Sequence, residues 1–178
     1  PDCSRQRLQL APNHDPALAC QGIRFLPMDH SGCGQRSDEE VARVRELAEA
    51  LIGMSFVNRA GETAAIGWNN ILIVAPYNMQ VNALAEALPS AARVGTVDKF
   101  QGQEAEVVIV SMTTSSPEDL PRHVDFFYSK HRLNVAISRA RTLALVLANP
   151  KLLELDAKTV EHLRLVNTLA WVAETGAK

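Results

Sequence analysis

Uninterrupted apolar runs are the clearest pattern in this chain. Residues 71–75, 107–112 and 143–148 are almost wholly apolar, which is typical of strands covered on both faces of a sheet. Residues 22–28 and 93–97 have the composition of two shorter strands. The pattern therefore predicts five strands.

Amphipathic stretches lie between these runs. Ser37 and Glu40 have the spacing of a capping box, in which the Glu40 side chain reaches back to the N-cap, and helical spacing continues to Leu51. The same periodicity predicts helices over residues 132–141 and 158–174, and a helix after Asn78 whose inner face is Val81, Leu84, Ala85 and Leu88.

Buried strands that alternate with amphipathic helices favour a parallel sheet with helices on both faces. We therefore predict an α/β fold with a doubly wound, mostly parallel sheet, formed as a single domain by residues 22–178. Residues 1–21 lack periodicity and are predicted to be an irregular entry segment, and residues 58–70 a polar connection.

Composition narrows the class of protein. The chain has 178 residues, is 47% hydrophobic and has a formal net charge of −2 at pH 7, so its overall charge does not indicate a nucleic-acid partner. No apolar run approaches the roughly 20 residues of a membrane span, and the first residues lack a leader pattern. We expect a cytoplasmic protein without a membrane partner.

Positive charge is nevertheless concentrated locally, because residues 122–141 contain five Lys or Arg and one acid. This patch could face phosphates. It could equally be a solvated helix whose arginines pair with Glu104 or Glu106. The residues alone leave both alternatives open.

A metal site has weak support in the sequence. Cys20, His30 and Cys33 could be assembled into one, but only His30 and Cys33 have the tight spacing of structural zinc ligands. Three scattered cysteines also argue against a disulfide framework. We predict plain loop cysteines and no metal site.

Polar side chains follow the predicted strands, where ligands bind in a parallel sheet, outside the carboxyl ends. Residues 77–80 follow one buried strand, residues 98–104 follow the next, and Arg139 and Arg141 precede the last. The sequence therefore predicts a ligand site at the carboxyl edge, with Gly102 allowing a tight turn and Gln101 and Glu104 bringing polar groups to the rim.

Absent motifs limit the chemistry. The sequence contains no G-x-x-x-x-G-K-[ST], no acidic pair after a buried strand to hold Mg²⁺, and no G-x-S-x-G, C-x-x-C or H-E-x-x-H. Phosphate-seeking arginines without a phosphate cradle predict half of a nucleotide site.

Three segments resemble motifs of superfamily 1 helicases. Residues 75–80, A-P-Y-N-M-Q, are similar to the motif IV region, residues 95–104, G-T-V-D-K-F-Q-G-Q-E, to motif V, and residues 132–141, R-L-N-V-A-I-S-R-A-R, to motif VI. Their order and separation match the branch that contains the nonsense-mediated-decay helicase and the Okazaki-fragment helicase–nuclease. The resemblance spans residues 71–150.

The resemblance implies the second, C-terminal RecA-like domain of an ATP-dependent motor. By position, Arg139 matches the arginine finger, and Gly102 and Glu104 match the residues that approach the γ-phosphate and the ribose. Gln101 matches a residue that couples the nucleotide to the nucleic-acid track. Arg141 is either a second phosphate contact or a structural ion pair, whereas Arg132 and Asn134 orient the motif VI helix.

The resemblance also implies partners. Single-stranded DNA or RNA would contact Pro76, Tyr77, Asn78 and Thr96, although Tyr77 could instead pack on the sheet at a helix start. The first RecA-like domain of the same parent chain would supply the phosphate cradle for ATP and the ligands of Mg²⁺.

The sequence departs from the family pattern, since motifs I to III and the Y-R-M-H-P segment do not occur. We therefore expect a fragment that is inactive as an ATPase by itself. The alternatives are a non-catalytic RecA-like module that binds nucleic acid or protein, and an isolated mononucleotide-binding protein, which would lack a Gly-rich turn after its first strand.

Overall fold

The computed structural model describes residues 6–119, 132–154 and 160–176. Its helices are α1 (Asp38–Leu51), α2 (Asn78–Ala87), α3 (Arg132–Ser138) and α4 (Val160–Gly176). Its strands are β1 (Arg7–Leu8), β2 (Gly22–Pro27), β3 (Ser55–Val57), β4 (Thr63–Ala65), β5 (Ile71–Val74), β6 (Arg93–Gly95), β7 (Ala105–Ser111) and β8 (Ala140–Ala148).

Within these described ranges, the main sheet has five strands in the order β2-β8-β7-β5-β6, and all neighbouring strands are parallel. Its parallel pairing requires crossover connections. Helix α2 lies in the connection from β5 to β6 and α3 in that from β7 to β8, whereas β6 and β7 are joined by residues 96–104, which contain only a short 3-10 helix. This confirms the predicted doubly wound α/β fold.

Alternate residues of the central strands belong to two separate hydrophobic cores. Ile71 and Ile73 of β5 pack on one face with residues of α1 and α2, such as Leu47 and Leu84. Leu72 and Val74 pack on the other face with α3 and α4, from which Leu133, Ala136, Leu169 and Val172 are buried. The apolar runs are continuous in sequence because each strand is buried on both faces.

A second, antiparallel sheet is formed by β1, β3 and β4. The entry segment is therefore not wholly irregular, since Arg7 and Leu8 pair with Val57 and Phe56. The connection over residues 58–70 likewise contains β4. Leu8 and Phe56 join the core shared with α1, so tertiary burial overrides the weak local pattern of these short strands.

Other predicted bounds shift by a few residues. β6 ends at Gly95, and Val97–Phe100 forms a short 3-10 helix instead of continuing the strand. Helix α3 ends at Ser138, so that Ala140 and Arg141, predicted to be helical, begin β8. On α2, Ala85 is exposed and Gln80 is fully buried, so the buried face is rotated from the predicted one.

Candidate nucleotide and nucleic-acid surfaces

The sequence-predicted site residues lie at two opposite edges of the main sheet. β6 ends at Gly95, on the carboxyl edge, and the parallel strand β7 begins at Ala105, on the amino edge. Residues 96–104 must therefore cross from one edge to the other, because a connection between parallel strands returns to the starting edge. The prediction that Gly102, Glu104 and the two arginines lie at the carboxyl edge is wrong: they lie at the amino edge.

At the amino edge, residues 100–103 form a tight turn. The Gln103 amide donates to the Phe100 carbonyl at 3.0 Å, and Gly102 has φ +75°. That conformation, following an extended Gln101, is the one that a type II turn requires at its third residue. Among the described residues, no atom lies within 4 Å of the position of a Gly102 Cβ, so in that part of the structure the backbone faces open space.

The bulge in β8 aims Arg141 at two carboxylates. Ala105 pairs with Ala140 and Val107 with Leu143, so two residues of β8 oppose one residue of β7. Arg141 donates to Glu104 at 3.1 Å and to Glu106 at 3.3 Å. The hydrogen bond to Glu104 raises the pKa of the Arg141 guanidinium above its ordinary value. Of the alternatives that the sequence left open for Arg141, the structure has the ion pair.

Arg139 lies between α3 and β8, beside the Gly102 turn. Its carbonyl accepts from the Ala105 amide at 3.0 Å, and its own amide donates to Ala136 at 3.1 Å. The residue is half-buried, and its Nε is buried without a hydrogen-bond partner among the described residues. An arginine donor that is removed from water and left unpaired is costly, and an acceptor such as a phosphate oxygen would relieve that cost.

A cleft of about 550 Å³ opens at this edge. One wall is formed by the start of β7 and β8, with Glu104, Glu106 and Arg141, and the other by the β3–β4 hairpin and its neighbour, with Gln6, Asn58, Arg59 and Ala60. The small sheet, which the sequence pattern does not predict, therefore positions four of the nine lining residues. Strands β1 and β3 are too short, at two and three residues, to show a hydrophobic periodicity in the sequence.

Arg93, at the start of β6, holds the same turn from the other side. It donates to the Gln103 side chain and to the Asn69 carbonyl, both at 2.7 Å, and it lies over the Phe100 ring. Lys99 lies 5.8 Å from the centre of that ring and donates to the Val94 carbonyl.

The segments that resemble motifs V and VI are joined by an ion pair. Arg132 Nη2 lies 3.2 Å from Asp98 Oδ2. This agrees with the orienting role expected for Arg132, whereas Asn134 is exposed. Arg122 and Lys130 of the predicted basic patch lie outside the described residues.

The carboxyl edge contains the other group of predicted residues. Tyr77 is the N-cap of α2 and is buried, with 8% exposure, and its hydroxyl lies 3.2 Å from Thr114 Oγ1. Thr96, which follows β6, is the N-cap of the 3-10 helix. The packing alternative for the Tyr77 side chain is therefore the one observed, and its ring is not presented as a base-stacking platform.

The main chain at the start of α2 has a different character. No side chain in the described part of the chain caps the helix, and its first intrahelical bond joins the Val81 amide to the Tyr77 carbonyl. Asn78 and Met79 are exposed. Amides at the first turn of a helix have no intrahelical acceptor and attract anions such as phosphate.

A buried polar cluster beneath this edge was not found from the sequence. Glu40, predicted to reach back to its N-cap, instead accepts from His30, Ser111 and the Thr113 amide. The Ser37 amide donates to Gln80 at 2.9 Å, so only half of the predicted capping box is present, the bond from the Glu40 amide to Ser37 Oγ. The Glu40 carboxylate is unavailable to the helix end because three donors from elsewhere occupy it.

Among the described residues, Cys20, His30 and Cys33 are not grouped as metal ligands. Both ring nitrogens of His30 are used, by Ser115 at 2.7 Å and by Glu40 at 3.0 Å. Cys20 is exposed and Cys33 is half-buried, and neither is in a disulfide. Within residues 6–119, 132–154 and 160–176 no three potential ligands are grouped to hold a metal ion. In the same part of the chain, no helix combines the length and apolarity needed to cross a bilayer.

Comparisons with known proteins agree with the fold and the motifs. Residues 6–151 match the family model described as an AAA domain. The chain is 33% identical over 120 residues to "Probable RNA helicase armi" of Drosophila melanogaster, covering 63% of this chain and 10% of that protein. It is 29% identical over 151 residues to "DNA-binding protein SMUBP-2" of Mesocricetus auratus, covering 83% of this chain and 14% of that protein.

A third relative is "DNA polymerase alpha-associated DNA helicase A" of Saccharomyces cerevisiae, 34% identical over 123 residues, which cover 66% of this chain and 16% of that protein. The matched regions thus span between 10% and 16% of these three relatives.

Proposed function

Because the chain belongs to the AAA domain family and is a RecA-like domain of the superfamily 1 helicases, we propose that it is the C-terminal motor domain of an ATP-dependent helicase or translocase. The observation that supports this most directly is Arg139. Its half-buried side chain, with an unpartnered Nε among the described residues, lies at the same edge as the open Gly102 turn and Glu104.

The residues of the amino edge fit a nucleotide held between this domain and another. The open backbone of Gly102 would lie against phosphate oxygens, and the Glu104 carboxylate could accept from ribose hydroxyls. Bound ATP supplies a γ-phosphoryl group on which negative charge develops during transfer. Arg139 would stabilise that charge as an arginine finger, a contribution of about 10³–10⁵ in rate.

Magnesium ligands are expected elsewhere. Glu104 and Glu106 are both paired with Arg141, so neither carboxylate is free to hold a divalent cation without breaking an ion pair. This supports the proposal that the phosphate cradle and the Mg²⁺ ligands belong to a first RecA-like domain of the parent chain.

Single-stranded DNA or RNA would lie across the opposite, carboxyl edge. The first turn of α2 offers main-chain amides at Asn78 and Met79, and Pro76 and Thr96 flank it along the same edge. Backbone contacts to phosphates are independent of base sequence, as a translocating motor requires. Residues 96–104 connect this track to the nucleotide edge, which gives Gln101 its proposed coupling role.

The test is an ATPase assay of the full-length parent protein with Arg139→Ala, stimulated by single-stranded nucleic acid. Arg45→Ala is the matched control, because Arg45 is an exposed arginine of α1 that pairs only with Glu49 among the described residues. We expect Arg139→Ala to lower kcat by about 10³-fold or more while nucleotide affinity changes little, and Arg45→Ala to leave both unchanged.

Near-normal turnover by the Arg139→Ala variant would remove the finger assignment. The 178-residue chain alone should show no turnover in the same assay, and robust activity there would refute the half-site proposal. A non-catalytic binding module is the second candidate, favoured by the ion pairs that Arg141 makes with Glu104 and Glu106. In that case the parent would bind nucleic acid without any ATPase activity that depends on Arg139.

A further inference from the structure

Glu40 is a fully buried carboxylate that no step of the proposed motor uses. Its side chain and that of His30 both have 0% exposure, and His30 Nε2 lies 3.0 Å from Glu40 Oε1. Because Nε2 faces a carboxylate, it holds the ring proton, and His30 Nδ1 accepts from the Ser115 hydroxyl at 2.7 Å. Ser111 Oγ and the Thr113 amide donate to the other carboxylate oxygen.

The turn that these donors belong to is strained. Residues 112–115 follow β7, which ends with Ser111 at the carboxyl edge, and Thr113 has φ +72°. A β-branched residue seldom occupies the left-handed region, because its side chain crowds the backbone there. The hydrogen bond from the Thr113 amide to Glu40 Oε2, at 2.9 Å, fixes the backbone in this conformation.

Residues at the start of α2 also hydrogen-bond to the end of β7 and to the Thr113 turn. Gln80 donates to Ser111 Oγ at 3.0 Å and to the Ser37 carbonyl at 3.1 Å, and the Tyr77 hydroxyl lies 3.2 Å from Thr114 Oγ1. Tyr77 is the N-cap of α2 and Gln80 is the third residue of the helix. Two side chains from the start of α2 thus rest on the turn that Glu40 holds.

These hydrogen bonds link three elements, namely α1, the end of β7 and the start of α2. Glu40 lies in the first turn of α1, so its contacts tie α1 to the end of β7. Ser111 Oγ is the shared atom, since it donates to Glu40 and accepts from Gln80. A continuous chain of contacts therefore runs from the α1 carboxylate through the turn to Tyr77 and Gln80 at the start of α2.

We infer that Glu40 is a positioning residue for the nucleic-acid track: by holding the strained Thr113 turn it fixes the first turn of α2, whose main-chain amides contact the phosphates. This inference rests on the proposed function, because it concerns the same track.

The test measures the affinity of the full-length parent protein for fluorescein-labelled oligothymidine and oligouridine by anisotropy, with circular dichroism showing that each variant is folded. Glu40→Gln retains the shape but places an amide N–H₂ against donors. Glu49→Gln is the matched control, since it removes the same charge from an exposed position of the same helix. We expect about tenfold weaker binding for Glu40→Gln and unchanged binding for Glu49→Gln.

A rescue variant separates positioning from general stability. Glycine adopts φ above 0° without steric cost, so adding Thr113→Gly to Glu40→Gln should restore affinity to within about threefold of the wild type. Weakened binding that Thr113→Gly fails to restore would overturn the inference. Should Glu40→Gln not fold, Ser111→Ala breaks the same chain of contacts at its shared atom, and we expect it to weaken binding by about fivefold.

The two proposals fail in different ways. If the wild-type parent protein binds neither oligonucleotide, the proposed track is wrong and the role of Glu40 falls with it. If the wild type binds, and the folded Glu40→Gln variant (or Ser111→Ala in its place) binds equally well, only the positioning role is overturned.

Discussion

The variant Gly95→Ala tests whether close packing within the motif V segment, residues 95–104, requires glycine at this position. An alanine Cβ there would lie 2.4 Å from Lys99 Cδ, 3.2 Å from Lys99 Cβ and 3.2 Å from Phe100 Cε2. The first distance is too short for two carbon atoms that are not bonded to each other, so the Lys99 side chain must move away. The Phe100 ring is buried, with 4% exposure, and has little room to move.

The cost follows from what Lys99 gives up. Moving its side chain breaks the hydrogen bond to the Val94 carbonyl, worth about 1 kcal/mol, and the cation–π contact with Phe100, worth about 0.5–1 kcal/mol. The tight contact with the Phe100 ring adds about 1 kcal/mol. Alanine offsets roughly 0.5–1 kcal/mol of this by restricting the unfolded chain. The net destabilisation is about 2 kcal/mol, or about 4–8 °C in Tm.

A double-mutant cycle isolates this mechanism. Urea unfolding of the wild type, Gly95→Ala, Lys99→Ala and the double variant gives four free energies of unfolding. We expect Gly95→Ala to cost about 1 kcal/mol or less when position 99 is alanine, a coupling of at least about 1 kcal/mol. Gly102→Ala is the control, because its φ of +75° costs about 1–2 kcal/mol independently of Lys99, and no atom of the described residues lies within 4 Å of the added methyl. An equal cost of Gly95→Ala in both backgrounds would refute the steric argument.

Two further variants test other contacts. The hydrogen bond from Arg43 holds the pKa of Asp15 below its usual value, so its stabilisation is complete at neutral pH and is lost as the pH falls through the lowered pKa. Asp15→Asn should therefore lower the free energy of unfolding in urea by about 1 kcal/mol at pH 7 and by progressively less toward pH 3. A cost that does not change with pH would contradict the ion-pair explanation. Gly176→Ala should destabilise the protein by about 1–3 kcal/mol, measured as a lowered urea midpoint. The added methyl would lie 2.5 Å from the Phe25 amide nitrogen and 2.9 Å from Arg24 Cα, and these backbone atoms cannot move aside. An unchanged midpoint would show that the last turn of α4 does not need this close approach.

The sequence alone determined the architecture of the main sheet. The apolar runs of β5, β7 and β8 are long and unbroken because these strands are buried on both faces, and no local competing pattern obscures them. The motif segments were also readable, since their residue types and spacing are local properties of the chain. Family membership followed from them.

Only the tertiary structure decided which side chains meet. Glu40 lies 71 residues from Ser111 and 73 from Thr113 along the chain, and no periodicity encodes that contact. The local pattern assigned Glu40 to a capping box, but the desolvated donors at the end of β7 outcompete the helix end for its carboxylate.

The misplaced edge has a different reason. A parallel sheet already requires the residues just before β7 and β8 to lie at the amino edge, whereas the carboxyl-edge rule for ligands applies to residues that follow a strand. The tertiary structure decided that β7 and β8 are neighbours, which places Glu104 beside Arg141 and Arg139 beside Ala105. Local propensity fixes where strands and helices form, but strand order and crossover direction fix which loops share an edge.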